Sequence, residues 1–231
     1  ELSDAYAACL ALAQSHYENF PVASRLMPAA LRPHVAAIYA FARTADDFAD
    51  EPGRADDERL RLLAEWRARL HDSSDRTSEF LALHDTIRRF DLPLQLFDDL
   101  LDAFTQDVTT TRYATWDAVL DYCRRSANPV GRLVLRLSGY RDDRLDAASD
   151  AVCTALQLTN FWQDLAVDWP RGRLYVPEEM FARHQADPRD LDAARWSPAW
   201  QRSLADCGHR TRALFDAGRP VCDGVSGRLR Y

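Results

Sequence analysis

The chain contains no lysine: all 29 of its basic residues are arginine, set against 36 acidic side chains that are mostly aspartate. Without lysine there is no amine for a Schiff base and no P-loop lysine for a nucleotide phosphate, which removes several enzyme classes. An arginine-only, alanine-rich usage also fits a GC-biased genome. Cysteine is equally uninformative as a scaffold. Cys9, Cys123, Cys153, Cys207 and Cys222 are odd in number and widely spaced, with no C-x-x-C pair, so neither a disulfide framework nor a zinc site is indicated. The expected compartment is reducing, and a cytoplasmic location is expected. None of the six histidines stands in an H-E-x-x-H or similar ligand spacing. Long apolar runs are missing too. Runs such as residues 35–42 fall far short of the ~20 residues a transmembrane helix needs. No signal-peptide pattern is visible at the start of the chain. The net charge of −7 argues against a non-specific nucleic-acid binder, so no nucleic-acid partner is expected.

Strand formers are scarce. Only Ile38 and Ile87 supply isoleucine, and the one β-branched run, residues 108–111, is too short for a sheet. Abundant Ala and Leu at helical spacing instead predict an all-α fold in one domain spanning 1–231. At 231 residues, a chain with 47% hydrophobic content can bury a large core without metal or disulfide support. The predicted helices cover residues 2–18, 32–50, 56–71, 79–90, 93–105, 116–138 (with a break at Asn128-Pro129), 143–168 and 197–217. Pro33 opens the second helix, Pro52-Gly53 ends it, and residues 171–177 form a loop. No repeat or low-complexity segment appears.

Two segments stand apart. The first runs Tyr39-Ala-Phe-Ala-Arg43-Thr-Ala-Asp46-Asp47-Phe-Ala-Asp50. The second runs Gln157-Leu-Thr-Asn160-Phe-Trp-Gln163-Asp164-Leu-Ala-Val-Asp168. Asp-x-x-x-Asp spacing alone selects neither, because it recurs at 98/102, 117/121, 142/146 and 146/150. Environment does: those other pairs sit among charged residues, whereas 46/50 and 164/168 end long apolar helices. At about 100° per residue, Tyr39, Arg43, Asp46 and Asp50 fall within about 60° of one another, and Gln157, Asn160, Asp164 and Asp168 within about 80°. Asp47 lies about 100° round from Asp46 and is expected to face away. Two facing carboxylate stripes repel unless cations lie between them, and Mg²⁺ suits carboxylate oxygens while accepting substrate phosphates as further ligands. Either stripe taken alone is equally well a solvated helix face.

These segments resemble the squalene/phytoene synthase family of all-α isoprenoid synthases, and the resemblance covers nearly the whole chain. Phe20-x-x-Ala23-Ser24-Arg25-Leu26-Met27-Pro28 resembles the family's opening motif. Residues 39–50 resemble its first aspartate-rich motif. Asp107 with Arg112-Tyr113, and then Tyr122-Cys123 through Gly131, resemble its middle segments. Residues 155–168, followed by Gly172-Arg173-x-Tyr175-x-Pro177, resemble its second aspartate-rich motif and trailing loop. Gln163 stands where members that join two prenyl diphosphates usually carry Arg. That, together with 19–24, 126–131 and 160–164, looks most like the bacterial hydroxysqualene synthase branch of hopanoid biosynthesis. The family usually continues for several more helices, so the resemblance implies that C-terminal helices are absent here.

The resemblance implies a central cavity between the two aspartate-bearing helices. It also implies conversion of presqualene diphosphate and water to hydroxysqualene and diphosphate. Asp46, Asp50, Asp164 and Asp168 would hold Mg²⁺, with Arg43 on the phosphates. Tyr39, Asp47, Asn19, Phe20, Gln157, Asn160, Gln163, Arg173 and Tyr175 are the further substrate-contact candidates. Phe20, Phe161 and Trp162 are candidates to face the carbocation, and Asn19 or Gln163 to orient water. The alternatives are head-to-head condensation of prenyl diphosphates by the same fold, or an inactive scaffold, which would be expected to lose carboxylates from the stripes. An oily substrate implies peripheral contact with the inner face of a membrane and with neighbouring pathway enzymes.

Overall fold

The computed structural model describes residues 1–15 and 27–230, except for the side chains of Arg228 and Arg230. Asn19 and Phe20, and most of the opening motif, lie outside the described residues. Among the described residues the secondary structure is helical, with a single isolated bridge between Arg112 and Leu174 in place of any strand. Helix α1 spans Leu2–Ser15, and α2 spans Arg32–Asp50 after a 3-10 turn at Ala29–Leu31. Next come α3 (Asp56–His71), α4 (Ser78–Phe90), α5 (Leu94–Thr109), α6 (Trp116–Ser126) and α7 (Asn128–Leu137). Helix α8 (Asp143–Gln163) is followed by a short α9 (Leu165–Asp168) and a 3-10 turn at Trp169–Arg171. Helices α10 (Glu178–Arg183), α11 (Arg189–Asp192), α12 (Pro198–Gly218) and α13 (Val221–Gly224) complete the order. No helix among the described residues is long and apolar enough to cross a membrane.

Helix α2 positions the first stripe. Its buried residues His34, Ala37, Ile38, Phe41, Ala45 and Ala49 recur at three- and four-residue steps, the signature of one helical face. On one flank, Ala36, Ala37 and Ala40 meet Ala5, Cys9 and Ala13 of α1, where small side chains let the helices approach. On the other, Phe41 packs against Trp66, Phe80 and Phe97 of α3, α4 and α5, with ring centroids 5.5–6.2 Å apart. Each such buried ring contributes about 2–3 kcal/mol of burial free energy. With both flanks covered, the polar strip of α2 is left to face open space.

Helix α8 is fixed by α7 and α12. A Cβ on Gly131 would lie 2.3 Å from Ser149 Oγ and 2.6 Å from Cys153 Sγ, and one on Gly218 would lie 2.8 Å from the Ala148 carbonyl oxygen. Thr154 Oγ1 donates to Asn128 Oδ1 at 2.8 Å, and Asp142 caps the helix by accepting from the Arg144 and Leu145 amides. Beyond it, the segment 169–178 is tied to the α5–α6 connection. Leu174 N donates to Thr111 O at 2.9 Å, Glu178 N donates to Tyr113 O at 2.9 Å, and the Arg112 guanidinium lies 4.5 Å from the Trp169 ring centroid. Gly172, at φ +82°, makes the turn that a side chain would strain.

Three expectations need correction. Residues 143–168 are not one continuous helix: Asp164 leaves helical geometry at φ −89°, ψ 4°, and α9 restarts after it. Helix α5 runs on to Thr109, absorbing the first half of the short β-branched run, because Val108 is buried against the core as a helical residue. The break expected within 116–138 is present, but it falls at Ala127, and Asn128-Pro129 open the second helix. The short α10 and α11 carry too few turns for any periodicity to reveal them.

Candidate active site

A cleft of about 640 Å³ opens between the C-terminal half of α2, the start of α3 and the turn after α9. Arg43, Asp46, Asp47 and Asp50 line it from α2, Glu51 and Pro52 from its end, Arg59 from α3, and Arg171 and Arg173 from the turn. Three of the residues expected on the first stripe, Arg43, Asp46 and Asp50, thus share one space with Arg173, and Tyr39 is not among its lining residues. Asp47 also lines the cleft, against the expectation that it faces away, because the Arg43 guanidinium draws it in at 2.6 Å while reaching Asp46 at 3.3 Å.

Arg173 spans the cleft and holds both carboxylate oxygens of Asp50, one at 3.2 Å. That hydrogen-bonded pair raises the guanidinium's proton affinity further. Burial pushes the Asp46 carboxyl above the usual range, opposed by Arg43 and reinforced by the charges of Asp50 and Asp47. Burial also raises Asp168, followed by the charge of Asp164, while Arg173 and Arg171 oppose the shift and the Asp50 charge adds to it. Asp164 and Asp168 of the second stripe are not among the residues that line this cleft. Asp164 itself is exposed at the α8–α9 break, as are Asn160 and Gln163 on the same face of α8, while Gln157 is half-buried. Tyr39 is half-buried against the alanine-rich α1–α2 contact, and burial raises its hydroxyl.

Behind Arg173 lies an aromatic wall. Tyr175 stacks on Phe161 with centroids 3.8 Å apart and rings parallel within 1°, and Tyr113 and Tyr122 close the group at 5.7–6.1 Å. Trp162 turns away from the wall: its indole N–H donates to Thr211 Oγ1 of α12 at 2.9 Å, which makes it a packing residue. Asp107, on α5, meets this wall. Its Oδ2 accepts the Tyr122 hydroxyl at 2.8 Å, while its Oδ1 is buried without a partner. Burial raises its carboxyl to about 7, against the Tyr122 hydrogen bond and the Arg173 charge.

Sequence reasoning missed Arg59, Arg171, Asp107 and Tyr122 as site residues. The last two lay within the middle segments of the resemblance, which was the one signal available. Nothing local marks Arg59.

A divalent cation fits this donor set. Asp46, Asp50 and Asp168 are hard oxygen ligands, two of them carry raised proton affinities from burial and mutual repulsion, and Asp107 Oδ1 is an unpartnered buried acceptor. Among the described residues no three carboxylates, histidines or cysteines meet at one point, and Asp46, Asp47 and Asp50 are each paired with a guanidinium.

Residues 13–231 match the sequence profile of squalene/phytoene synthase. The chain belongs to the squalene/phytoene synthase family. Among curated members it is 37% identical over 214 residues to a hydroxysqualene synthase of Zymomonas mobilis, covering 90% of this chain and 71% of that protein. It is 38% identical over 205 residues to one of Rhodopseudomonas palustris, covering 88% and 70%. Among solved structures it superposes on squalene synthase HpnC from Alicyclobacillus acidocaldarius with a TM-score of 0.94 and 39% identity, covering 99% of this chain and 87% of that one. A dehydrosqualene synthase at 21% identity, TM-score 0.89, shares the fold. As a squalene/phytoene synthase family member, the chain has the helical isoprenoid synthase fold that the two stripes suggested.

Proposed function

We propose that this chain converts presqualene diphosphate and water to hydroxysqualene and diphosphate. The observation that carries the reading is the single cleft in which Arg43, Asp46, Asp47, Asp50 and Arg173 meet, with an aromatic wall behind it. The relatives named hydroxysqualene synthase, at 37–38% identity, support the choice of reaction.

Asp46, Asp50, Asp164 and Asp168 would hold Mg²⁺, which when bound supplies Lewis-acid neutralisation of the leaving diphosphate. The C–O bond to the diphosphate breaks, and the electron pair leaves with it. Arg43 and Arg173 turn from their carboxylate partners to phosphate oxygens, forming charge-assisted pairs of the same geometry. The stacked Phe161 and Tyr175 would wall off the organic cation from bulk water. Water captures the cation at one carbon. Tyr122 holds Asp107 through Oδ2 and leaves Oδ1 to take the proton that the captured water gives up.

A condensing reading is favoured by the similarity to squalene synthase HpnC and to phytoene synthases at 28–29% identity. Purified protein with Mg²⁺ and no nicotinamide, offered presqualene diphosphate and farnesyl diphosphate separately, decides between them by mass spectrometry. Hydroxysqualene from the first and nothing from the second is expected. A condensation product from farnesyl diphosphate overturns the proposed reaction in favour of the second reading.

A further inference from the structure

Charges in the cleft do not all cancel in the same way. Arg43 is taken up by Asp46 and Asp47, Arg173 by Asp50, and Glu51 by Arg54 at 2.6 Å. Arg59 is different. Among the described residues it has no carboxylate at ion-pair distance. Its Nη2 donates to the Glu51 carbonyl oxygen at 3.2 Å, and its Nε is buried with no partner. Buried donors are almost always satisfied, so an unpartnered guanidinium N–H on the wall of a cleft indicates a group that arrives from outside. The Glu51 carbonyl fixes one corner of the guanidinium, which leaves the rest of the planar fork for the cleft. Arg171 lines the same cleft on the facing turn and feels the Asp168 carboxylate electrostatically.

We propose that Arg59, with Arg171 opposite, forms a docking site for the outer phosphate of the diphosphate that works without metal. The fork of Arg59 matches phosphate oxygens, and among the described residues no carboxylate takes up its charge. The carboxylates required for metal are engaged by Arg43 and Arg173 at that stage. An anion seated on Arg59 and Arg171 is placed to draw those two guanidiniums off Asp46, Asp47 and Asp50, freeing the carboxylates for cations. Docking on arginine would then precede metal assembly. What the anion is attached to rests on the isoprenoid diphosphate reading above, but the site itself does not.

The test is calorimetric titration of inorganic pyrophosphate into the chain in EDTA. Wild type is expected to bind, with affinity falling as salt rises. Arg59→Gln is expected to bind at least tenfold more weakly, the loss of one or more charge-assisted hydrogen bonds. Arg59→Lys keeps the charge without the fork and is expected to weaken binding severalfold, which preserves the test should the Gln variant fold poorly. Arg61→Gln, on the same helix but paired with Glu65 outside the cleft, is expected to leave the affinity unchanged. No binding by wild type in EDTA, or equal binding by Arg59→Gln or Arg59→Lys, overturns the proposal. The product assay is read separately. Pyrophosphate docking on Arg59 without hydroxysqualene formation overturns the reaction and leaves the site standing, and hydroxysqualene formation without metal-free docking does the reverse.

Discussion

Arg173 and Asp50 are joined across the cleft by a two-point guanidinium–carboxylate contact, although they lie 123 residues apart in the chain. Asp50 is still 41% exposed as a side chain, so solvent screens the pair and its worth to the fold is small, under about 1 kcal/mol. Arg173→Gln is therefore expected to lower product formation at least a hundredfold, about 2.7 kcal/mol of barrier, while shifting unfolding by no more than about 1 kcal/mol. Turnover assays beside urea unfolding separate the two effects. Parallel losses of activity and stability would make the pair structural.

Asp46→Asn and Asp168→Asn are expected to reduce turnover about 10²–10³-fold and to raise the Mg²⁺ concentration needed for half-maximal rate. Replacing a carboxylate held above its usual proton affinity by burial should not destabilise the fold, so melting temperatures should stay level or rise. A variant whose Mg²⁺ dependence matches wild type would exclude that residue as a ligand.

Asp107 sets a stability dependence on pH. Its folded-state proton affinity, about 7, lies above the unfolded value of 3.8, so the folded form binds the proton more tightly. The stability this supplies is fully present below pH 3.8 and is lost as pH rises toward 7, after which the curve is flat. Asp107→Asn removes the titrating group. The stability of wild type relative to this variant should fall by up to about 4 kcal/mol between pH 4 and pH 8, an upper bound given the partial burial. Urea unfolding at both pH values measures the difference, and parallel curves would sink the assignment.

Gly131→Ala places a methyl group within 2.3 Å of Ser149 Oγ and 2.6 Å of Cys153 Sγ. Overpacking of this kind costs about 1–3 kcal/mol. Thermal unfolding should show it, with partial recovery on adding Ser149→Ala. An unchanged melting temperature would mean that α7 and α8 separate more readily than their close contact implies.

Gln163 is exposed at the end of α8. Gln163→Arg should leave stability within about 0.5 kcal/mol, as surface substitutions do, yet alter the products formed from presqualene diphosphate. Mass spectrometry of the products reads this directly. Identical products and kinetics would remove Gln163 from any role in product choice.

Much of this was legible from the residues because the information was local. Pro33 and Pro52-Gly53 punctuate α2, and its strip from Tyr39 to Asp50 lies on one uninterrupted helix, so angles computed from 3.6-residue geometry apply. The angular argument failed for Asp47, whose side chain follows the Arg43 guanidinium and not the Cβ direction alone. It also failed after Gln163, where the helix breaks at Asp164. Arg59 and Asp107 were invisible as site residues for a different reason. Each sits on an ordinary amphipathic helix, and only tertiary packing brings Arg59 to the cleft and Asp107 to the Tyr122 hydroxyl. Tertiary placement of that kind leaves no periodic trace.

The stretch from Arg173 to Tyr175 reaches two ways: Arg173 grips Asp50 on α2, and Tyr175 lies flat on Phe161 of α8. It acts as a tie-bar between the two carboxylate-bearing helices, so the gap between them is gauged by a few peptide units as well as by helix packing. Extended backbone advances in steps of about 3.3 Å, so the gap is adjustable only in coarse increments. One residue inserted between these anchors would also send the arginine and the tyrosine to opposite sides of the extended segment, since alternate side chains face opposite ways. The span is a gauge block for the cleft, and with Leu174 buried between the two anchors its length is open to little variation.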